Sequence, residues 1–221
     1  KGGAKSFTGV NLIFADALTY PDTRYFISRK KLNDLRKFTV PTVSKVFESW
    51  GIKPEHYIKF NGSDNFYQCT NGSRILLLEA AYMPSDPLYE RFGSMEFTRG
   101  WIEEAGEFEV AAKNNLAASI GRWKNDKHKL VRKLLQTGNP SKNYTYRDYY
   151  KPFINGTLLP HQKFIQAFIQ DNHMIDSGYI EQLQQSLSKN EKARLLDGEW
   201  EYDSDPSALI QYDKILDCFT N

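Results

Sequence analysis

The chain has 221 residues, enough to bury the core of one large domain or of one domain with a small appendage. Its 29 lysines and arginines against 27 acids leave a net charge of +2, which excludes a globally basic nucleic-acid binder and confines any such surface to a local patch. The two cysteines, Cys69 and Cys218, lack CxxC spacing, which argues against a disulfide framework or zinc site and suits a reducing compartment, and no apolar run approaches the ~20 residues that span a membrane. A folded, soluble, cytoplasmic protein with no membrane association is expected.

From Lys5 to Leu18, the apolar positions Val10, Ile13, Phe14, Ala17 and Leu18 recur at helical spacing, and Tyr20-Pro21 stops the run. "RYFISRK" (24–30) reads as a strand. "KLNDLRKFTVPTVSKVFESWG" (31–51) returns to helical spacing, with Pro41 marking a kink or a fresh start capped by Thr39, and Gly51 ends it. "HYIKFNGSDNFYQCTNGSRILLLEA" (56–80) offers short strands separated by Asn-Gly turns, and Asn71-Gly72 signals a two-residue hairpin. "MEFTRGWIEEAGE" (95–107) reads as a strand whose end delivers Glu103 and Glu104. A helix through "FEVAAKNNLAASIGRW" (108–123) and a basic helix "KNDKHKLVRKLL" (124–135) follow, and then "LLQTGNP" (134–140) as a strand entering a turn. A Tyr-rich loop (142–160) leads into the helices "HQKFIQAFIQ", "SGYIEQLQQSLS" and "NEKARLLDGEW", the last with Gly198 as a stop. Alternating helices and strands imply an α/β fold: a mostly parallel sheet flanked by helices, with an inserted β-hairpin and a helical C-terminal tail.

Three stretches carry chemistry. The first is "KGGAKSF", Lys1 to Phe7. A phosphate loop has the pattern G-x-x-x-x-G-K-[ST]: glycines let backbone N–H groups curl around phosphate, Lys reaches the outer phosphates and the hydroxyl binds Mg²⁺. Aligned on Lys5-Ser6, Ala4 stands at the second glycine, and the first would lie before Lys1. Gly2, Gly3, Ala4, Lys5, Ser6 and Phe7 form the candidate nucleotide-binding stretch, with an ordinary Gly-rich turn as the alternative. The second is "GWIEEAGE", where Glu103 would be the metal-side acid and Glu104 the water-activating base; a solvated helix start is the alternative. The third is "TGNP", where Thr137, Gly138 and Asn139 would sense the γ-phosphate at a strand end, or merely form a turn.

Arg29 and Lys30, at the end of a strand, are candidates to stabilise developing charge, and Arg36 is a weaker one. The run Arg122 to Lys133 has six basic residues against one acid and would line a DNA path by phosphate contacts or form a solvated face. Tyr144, Tyr146, Tyr149 and Tyr150 are read as core cover rather than base-stacking groups. His161 and His173 lack ligand spacing and are read as structural or solvated.

In this order the three stretches resemble the ATPase domain of the large terminase subunit of tailed bacteriophages. "YFISRKKLNDLRKFTVPTV" looks like the family's strand and Arg-bearing helix, and "IQDNHMI" with "KARLLDGEW" looks like the tail that closes that domain. The resemblance implies a P-loop NTPase fold of the ASCE type over residues 1–200. It also implies that residues 201–221 begin a linker toward a nuclease domain, and that the segment before Lys1 would supply the first strand and the start of the loop. It implies ATP and Mg²⁺ as cofactors, Arg29 and Glu104 as catalytic residues, and Thr137, Gly138 and Asn139 as the coupling motif. Double-stranded DNA, a portal protein and a small terminase subunit are the implied partners, with subunits assembled in a ring. Two departures stand out: Ala4 where relatives usually have Gly, and Glu103 where many have Asp. The rival readings are a helicase-like translocase on single strands and a non-hydrolysing assembly domain with the same fold.

Overall fold

A computed structural model describes residues 4–172 and 175–201; Gly2, Gly3, His173 and Cys218 lie outside the described residues, as does the expected linker apart from Glu201. Two compact units result, Ala4–Gly138 and a second that begins at Asn139.

The first unit is built on a six-stranded sheet of order β2-β3-β4-β1-β5-β6. Its strands are β1 (Arg24–Arg29), β2 (Ile58–Asn61), β3 (Phe66–Cys69), β4 (Arg74–Glu79), β5 (Arg99–Glu103) and β6 (Leu134–Thr137). β4, β1, β5 and β6 run parallel, while β2 and β3 are antiparallel additions at one edge, so the inserted hairpin falls where the Asn-Gly signals put it. Its second turn differs in detail. Cys69 N–H donates to Ser73 O and Gly72 N–H to Cys69 O, leaving a three-residue connection in which Gly72 takes φ 87°. Glycine adopts that left-handed angle without steric cost, which favours the bulged three-residue turn over the two-residue one.

Helices α1 (Lys5–Thr19) and α3 (Val40–Ser49) cover one face. Val10, Ile13, Phe14 and Ala17 of α1 and Val43, Val46 and Phe47 of α3 share a buried cluster with Tyr25, Ile27, Ile75, Leu77 and Trp101 from the strands. Gly9 permits this contact, because a Cβ there would sit 2.4 Å from the Trp101 indole. Since side chains alternate along a strand, Phe26 and Ile102 point to the other face. Both are fully buried, so the central strands are covered on both sides, as a parallel sheet requires. Cys69 is buried and free, and burial pushes its thiol pKa up to about 12.

Between β1 and α3 the chain forms a short helix α2 (Leu32–Asp34) and then a widened π turn, Leu35–Thr39, that runs into α3 without a break. Pro41, at the start of α3, has no N–H to give to the carbonyl four residues back, and Val40 N–H instead reaches back to Leu35 O. Thr39 has helical angles and makes no side-chain cap, so of the two alternatives the fresh start capped by Thr39 is not formed and the helical segment is continuous.

Helix α4 (Val110–Ser119) follows its expectation, but the basic helix does not. Only one turn, α5 (Asn125–His128), forms, flanked by Lys124 and Lys129 at positive φ. The Asn125 amide donates to the carbonyls of Thr98 and Leu130, at 3.2 and 3.0 Å, and this competes with helical hydrogen bonding.

In the second unit the Tyr-rich stretch is helical rather than loop: a π turn, Tyr146–Tyr150, continues into α6 (Lys151–Ile154). Tyr144 is buried, as core cover requires, whereas Tyr146, Tyr149 and Tyr150 are half-buried, and Tyr150 stacks on Trp200 with centroids 4.8 Å apart. "HQKFIQAFIQ" has no regular secondary structure before a single 3₁₀ turn, Ile169–Asp171, and His161 in it is exposed. Helices α7 (Ser177–Ser186) and α8 (Lys189–Leu195) form where the periodicity predicts them, capped by Asp176 and Ser188. They bury Leu183 and Leu196 against Ile169.

Candidate active site

The carboxyl ends of the parallel strands gather the chemistry. β5 runs Arg-Gly-Trp-Ile-Glu, its central residues bury against both layers, and Glu103 is carried at its end with only 3% of its surface exposed. The next residue, Glu104, is left-handed at φ 52°, which breaks the strand and redirects the chain into the turn Ala105–Glu107. A non-glycine residue in that conformation costs about 1–2 kcal/mol.

Opposite this end lies the start of α1. Lys5 is its first residue and Ala4 precedes it at φ 51°, the conformation that a glycine would adopt without strain. Here the departure from glycine carries a cost: a methyl group is present at an angle that disfavours it. Among the described residues no side chain caps α1 at Ala4, and its first turn has the anion-binding character of a helix N-terminus.

The Ser6 hydroxyl donates to Glu103 Oε1, joining residues 97 positions apart in sequence. The Thr39 hydroxyl donates to Glu103 Oε2, and Arg29 Nη1 lies 3.8 Å from the same oxygen. Arg29 ends β1; its guanidinium sits 5.4 Å from the Phe38 ring centroid, and its Nε is buried with no hydrogen-bond partner among the described residues. A buried cationic N–H without an acceptor is what an absent anionic group would leave behind.

Burial raises the Glu104 carboxyl above the ordinary range; Lys5 and Arg29 oppose this, and Glu103 and Glu107 add to it. Burial lowers the Lys5 ammonium, with Glu104 opposing. Lys5 and Glu104 therefore feel each other's charge across the same small volume.

β6 is paired with β5 so that Thr137 is the register partner of Glu103. The Thr137 hydroxyl accepts from the Trp101 indole N–H at 2.9 Å. Gly138 passes so close to the turn after Glu104 that a Cβ would lie 3.2 Å from the Ala105 nitrogen. Asn139 opens the second unit. The structure thus brings together Lys5, Ser6, Arg29, Glu103, Glu104, Thr137 and Gly138. Lys30 is exposed, and Arg36 is spent on the β2–β3 loop, where it donates to Gly62 O at 2.6 Å and to Asn65 Oδ1.

Sequence reasoning passed over two residues of the site. Thr39 reads as a cap, and its bond to Glu103 depends on a widened turn that local spacing does not announce. Trp101 draws no role from the sequence beyond its place in a strand, although a buried indole N–H needs an acceptor, and Thr137 supplies one.

The family model for the phage terminase large subunit matches residues 1–196. This chain belongs to that family. Among solved structures, the large terminase of a thermophilic bacteriophage in complex with ADP superposes with a TM-score of 0.69 at 15% identity, covering 90% of this chain and 46% of that one. The ATPase domain of the Thermus phage P74-26 large terminase gives 0.58 at 10% identity, covering 90% and 85%. The HK97 bacteriophage large terminase gives 0.56 at 9%, covering 90% and 44%. At these identities the likeness establishes the fold, a terminase ATPase-type mostly parallel sheet flanked by helices. The chain spans a little under half the length of the first of these proteins, the one solved with ADP. No curated protein sequence matches it. Among the described residues, no helix is long and apolar enough to cross a membrane.

Proposed function

We propose that residues 1–200 form the ATP-hydrolysing domain of a motor that packages double-stranded DNA into a phage procapsid. The observation that carries this reading is the meeting of Ser6 and Glu103 beside Lys5 and Glu104. A hydroxyl and a carboxylate oxygen converge there, and among the described residues no three His, Cys, Asp or Glu side chains form a metal cage of their own. That donor set fits Mg²⁺, a hard cation usually held by one or two protein oxygens together with phosphates and water. Ser6 and Glu103 would hold it. When bound, it neutralises charge on the phosphate oxygens. Gly2, Gly3, Ala4 and the first-turn N–H groups of Lys5, Ser6 and Phe7 cradle the phosphates, and the Lys5 ammonium reaches the outer ones. Glu104, ionised, orients the attacking water and takes up its proton, and the raised affinity of its carboxyl for a proton suits that task. Arg29, with its unpartnered Nε, stabilises the charge that develops on the transferred group.

Thr137, Gly138 and Asn139 transmit the change to the rest of the motor, and Trp101 ties Thr137 to the acid-bearing strand. The DNA-facing surface is the basic segment Arg122–Lys133, where Lys129, Arg132 and Lys133 are exposed and have no acidic partner among the described residues. The motor works in the host cytoplasm as a ring, with a portal protein and a small terminase subunit as partners. Glu104→Gln in the full-length protein tests the chemistry. ATP hydrolysis falls by ~10²-fold or more while nucleotide binding, read by calorimetry, persists. Intact hydrolysis in this variant would overturn the reading.

A further inference from the structure

The carboxylate of Glu103 is held at both oxygens, and only one of its two hydroxyl donors belongs to the motif that points to nucleotide chemistry. The other is Thr39, which has 1% of its surface exposed and sits at the last position of the π turn before α3. Its hydroxyl makes no bond to its own helix among the described residues; it donates to Glu103 Oε2, across 64 positions of sequence. A threonine hydroxyl in a regular helix commonly returns to the carbonyl three or four residues back. The widened turn frees this hydroxyl and aims it at the strand end, and such turns recur at functional sites.

We propose that Thr39 is a positioning residue for the metal-side carboxylate: it fixes Oε2 so that Oε1 stays turned toward Ser6. This rests on the nucleotide reading of the site. Two physical consequences follow from the hydroxyl. It satisfies an oxygen that burial has removed from water, a need that a hydrocarbon side chain cannot meet. It also competes with Arg29, whose Nη1 lies 3.8 Å from that oxygen. Without Thr39, the guanidinium closes onto Glu103, and the cation is withdrawn from the place where an anion would meet its unpartnered Nε.

The test uses two substitutions that separate hydrogen bonding from packing. Thr39→Val keeps the shape and removes the hydroxyl, whereas Thr39→Ser keeps the hydroxyl and removes a buried methyl group. The readout is the affinity for Mn²⁺ in the presence of ADP, followed by electron paramagnetic resonance in the full-length protein, with a nucleotide-free thermal melt to confirm folding. Loss of a partner that orients a metal ligand typically weakens metal binding 10–100-fold, so Thr39→Val falls by ~10-fold or more while Thr39→Ser stays within about threefold of the parent. A packing role reverses the order, with Ser the more damaged. Equal affinities in both variants, or weaker binding by Ser than by Val, would overturn the role of Thr39 while the nucleotide reading stands. Failure of the unsubstituted protein to bind Mn²⁺ with ADP would overturn that reading and this proposal with it.

Discussion

The two ends of the same parallel strands are opposites. β5 begins with Arg99 and ends with Glu103, β1 begins with Arg24 and ends with Arg29, and β6 follows Lys133 and ends with Thr137. About 13 Å of strand, at ~3.3 Å per residue, separates Arg99 from Glu103. At the amino ends the charges beside β1 and β5 are paired, while Lys129, Arg132 and Lys133 stay exposed with no acidic partner among the described residues. Arg99 is 2.5 Å from Asp16, Lys124 is 3.2 Å from Asp22, and Arg24 Cζ lies over Trp123, 3.4 Å from its ring centroid. The Trp123 indole and the His128 ring in turn bond the carbonyls of Asp22 and Pro21. At the carboxyl ends the charges are buried: Glu104 is left-handed and burial raises its pKa, burial lowers that of Lys5, and Arg29 Nε has no partner among the described residues. One rim keeps its charges exposed or paired at the surface, and the other buries them in the arrangement of a site for a ligand that brings charge of its own.

The sharpest test of that contrast exchanges charge at the amino end. Replacing Lys129, Arg132 and Lys133 together by Glu lowers duplex DNA affinity by ~10²-fold at moderate salt. It also makes the plot of log affinity against log salt shallower by about 3, since each lost phosphate contact removes roughly 0.9 from the slope. Fluorescence anisotropy across a salt series reads both. An unchanged slope would mean that DNA passes elsewhere.

A smaller effect comes from the frame of the same rim. Asn125→Ala removes two bonds to buried carbonyls and destabilises the protein by about 1–3 kcal/mol, a fall of roughly 2–4 °C in Tm per kcal/mol. Circular dichroism melts check it. A Tm within about 1 °C of the parent would show that the segment is not anchored as described.

The subtlest test returns to the carboxyl end and uses pH. The folded protein holds the Glu104 proton more tightly than the unfolded chain does, because burial raises the carboxyl. Its contribution to stability is therefore fully present below the unfolded value near 4.5 and is lost as pH rises through the folded value. At pH 7 the ionised group is a burden, so Glu104→Gln raises Tm at neutral pH, and the gain shrinks toward zero as the solution is taken to about pH 4. A gain independent of pH would show that the substitution acts through packing instead.

Much of the site was legible because its chemistry is local. Lys5-Ser6 entering a periodic helix, Glu103-Glu104 ending an apolar run and Thr137-Gly138 after a short strand each announce themselves within a few residues. The hairpin and the last two helices were legible for the same reason. Other elements failed where a distant group outbid local preference. The segment 124–135 looks helical until Asn125 takes the carbonyls of Thr98 and Leu130. "HQKFIQAFIQ" has helical spacing yet forms no regular structure apart from its 3₁₀ end, and Ile165 within it is 86% exposed. An apolar stripe makes a helix only when something covers it.

By itself the sequence determined which residue types stand at strand ends, at the start of α1 and in the hairpin turns, since spacing and backbone preference act over a handful of positions. Only the tertiary structure decided that Ser6, Thr39 and Arg29 meet on one carboxylate, and that Ala4 must bear a left-handed angle to begin the helix above it. The hydroxyls of Ser6 and Thr39 reach Glu103 across 97 and 64 positions of sequence. Sheet order and helix packing set those contacts, and no local pattern encodes them.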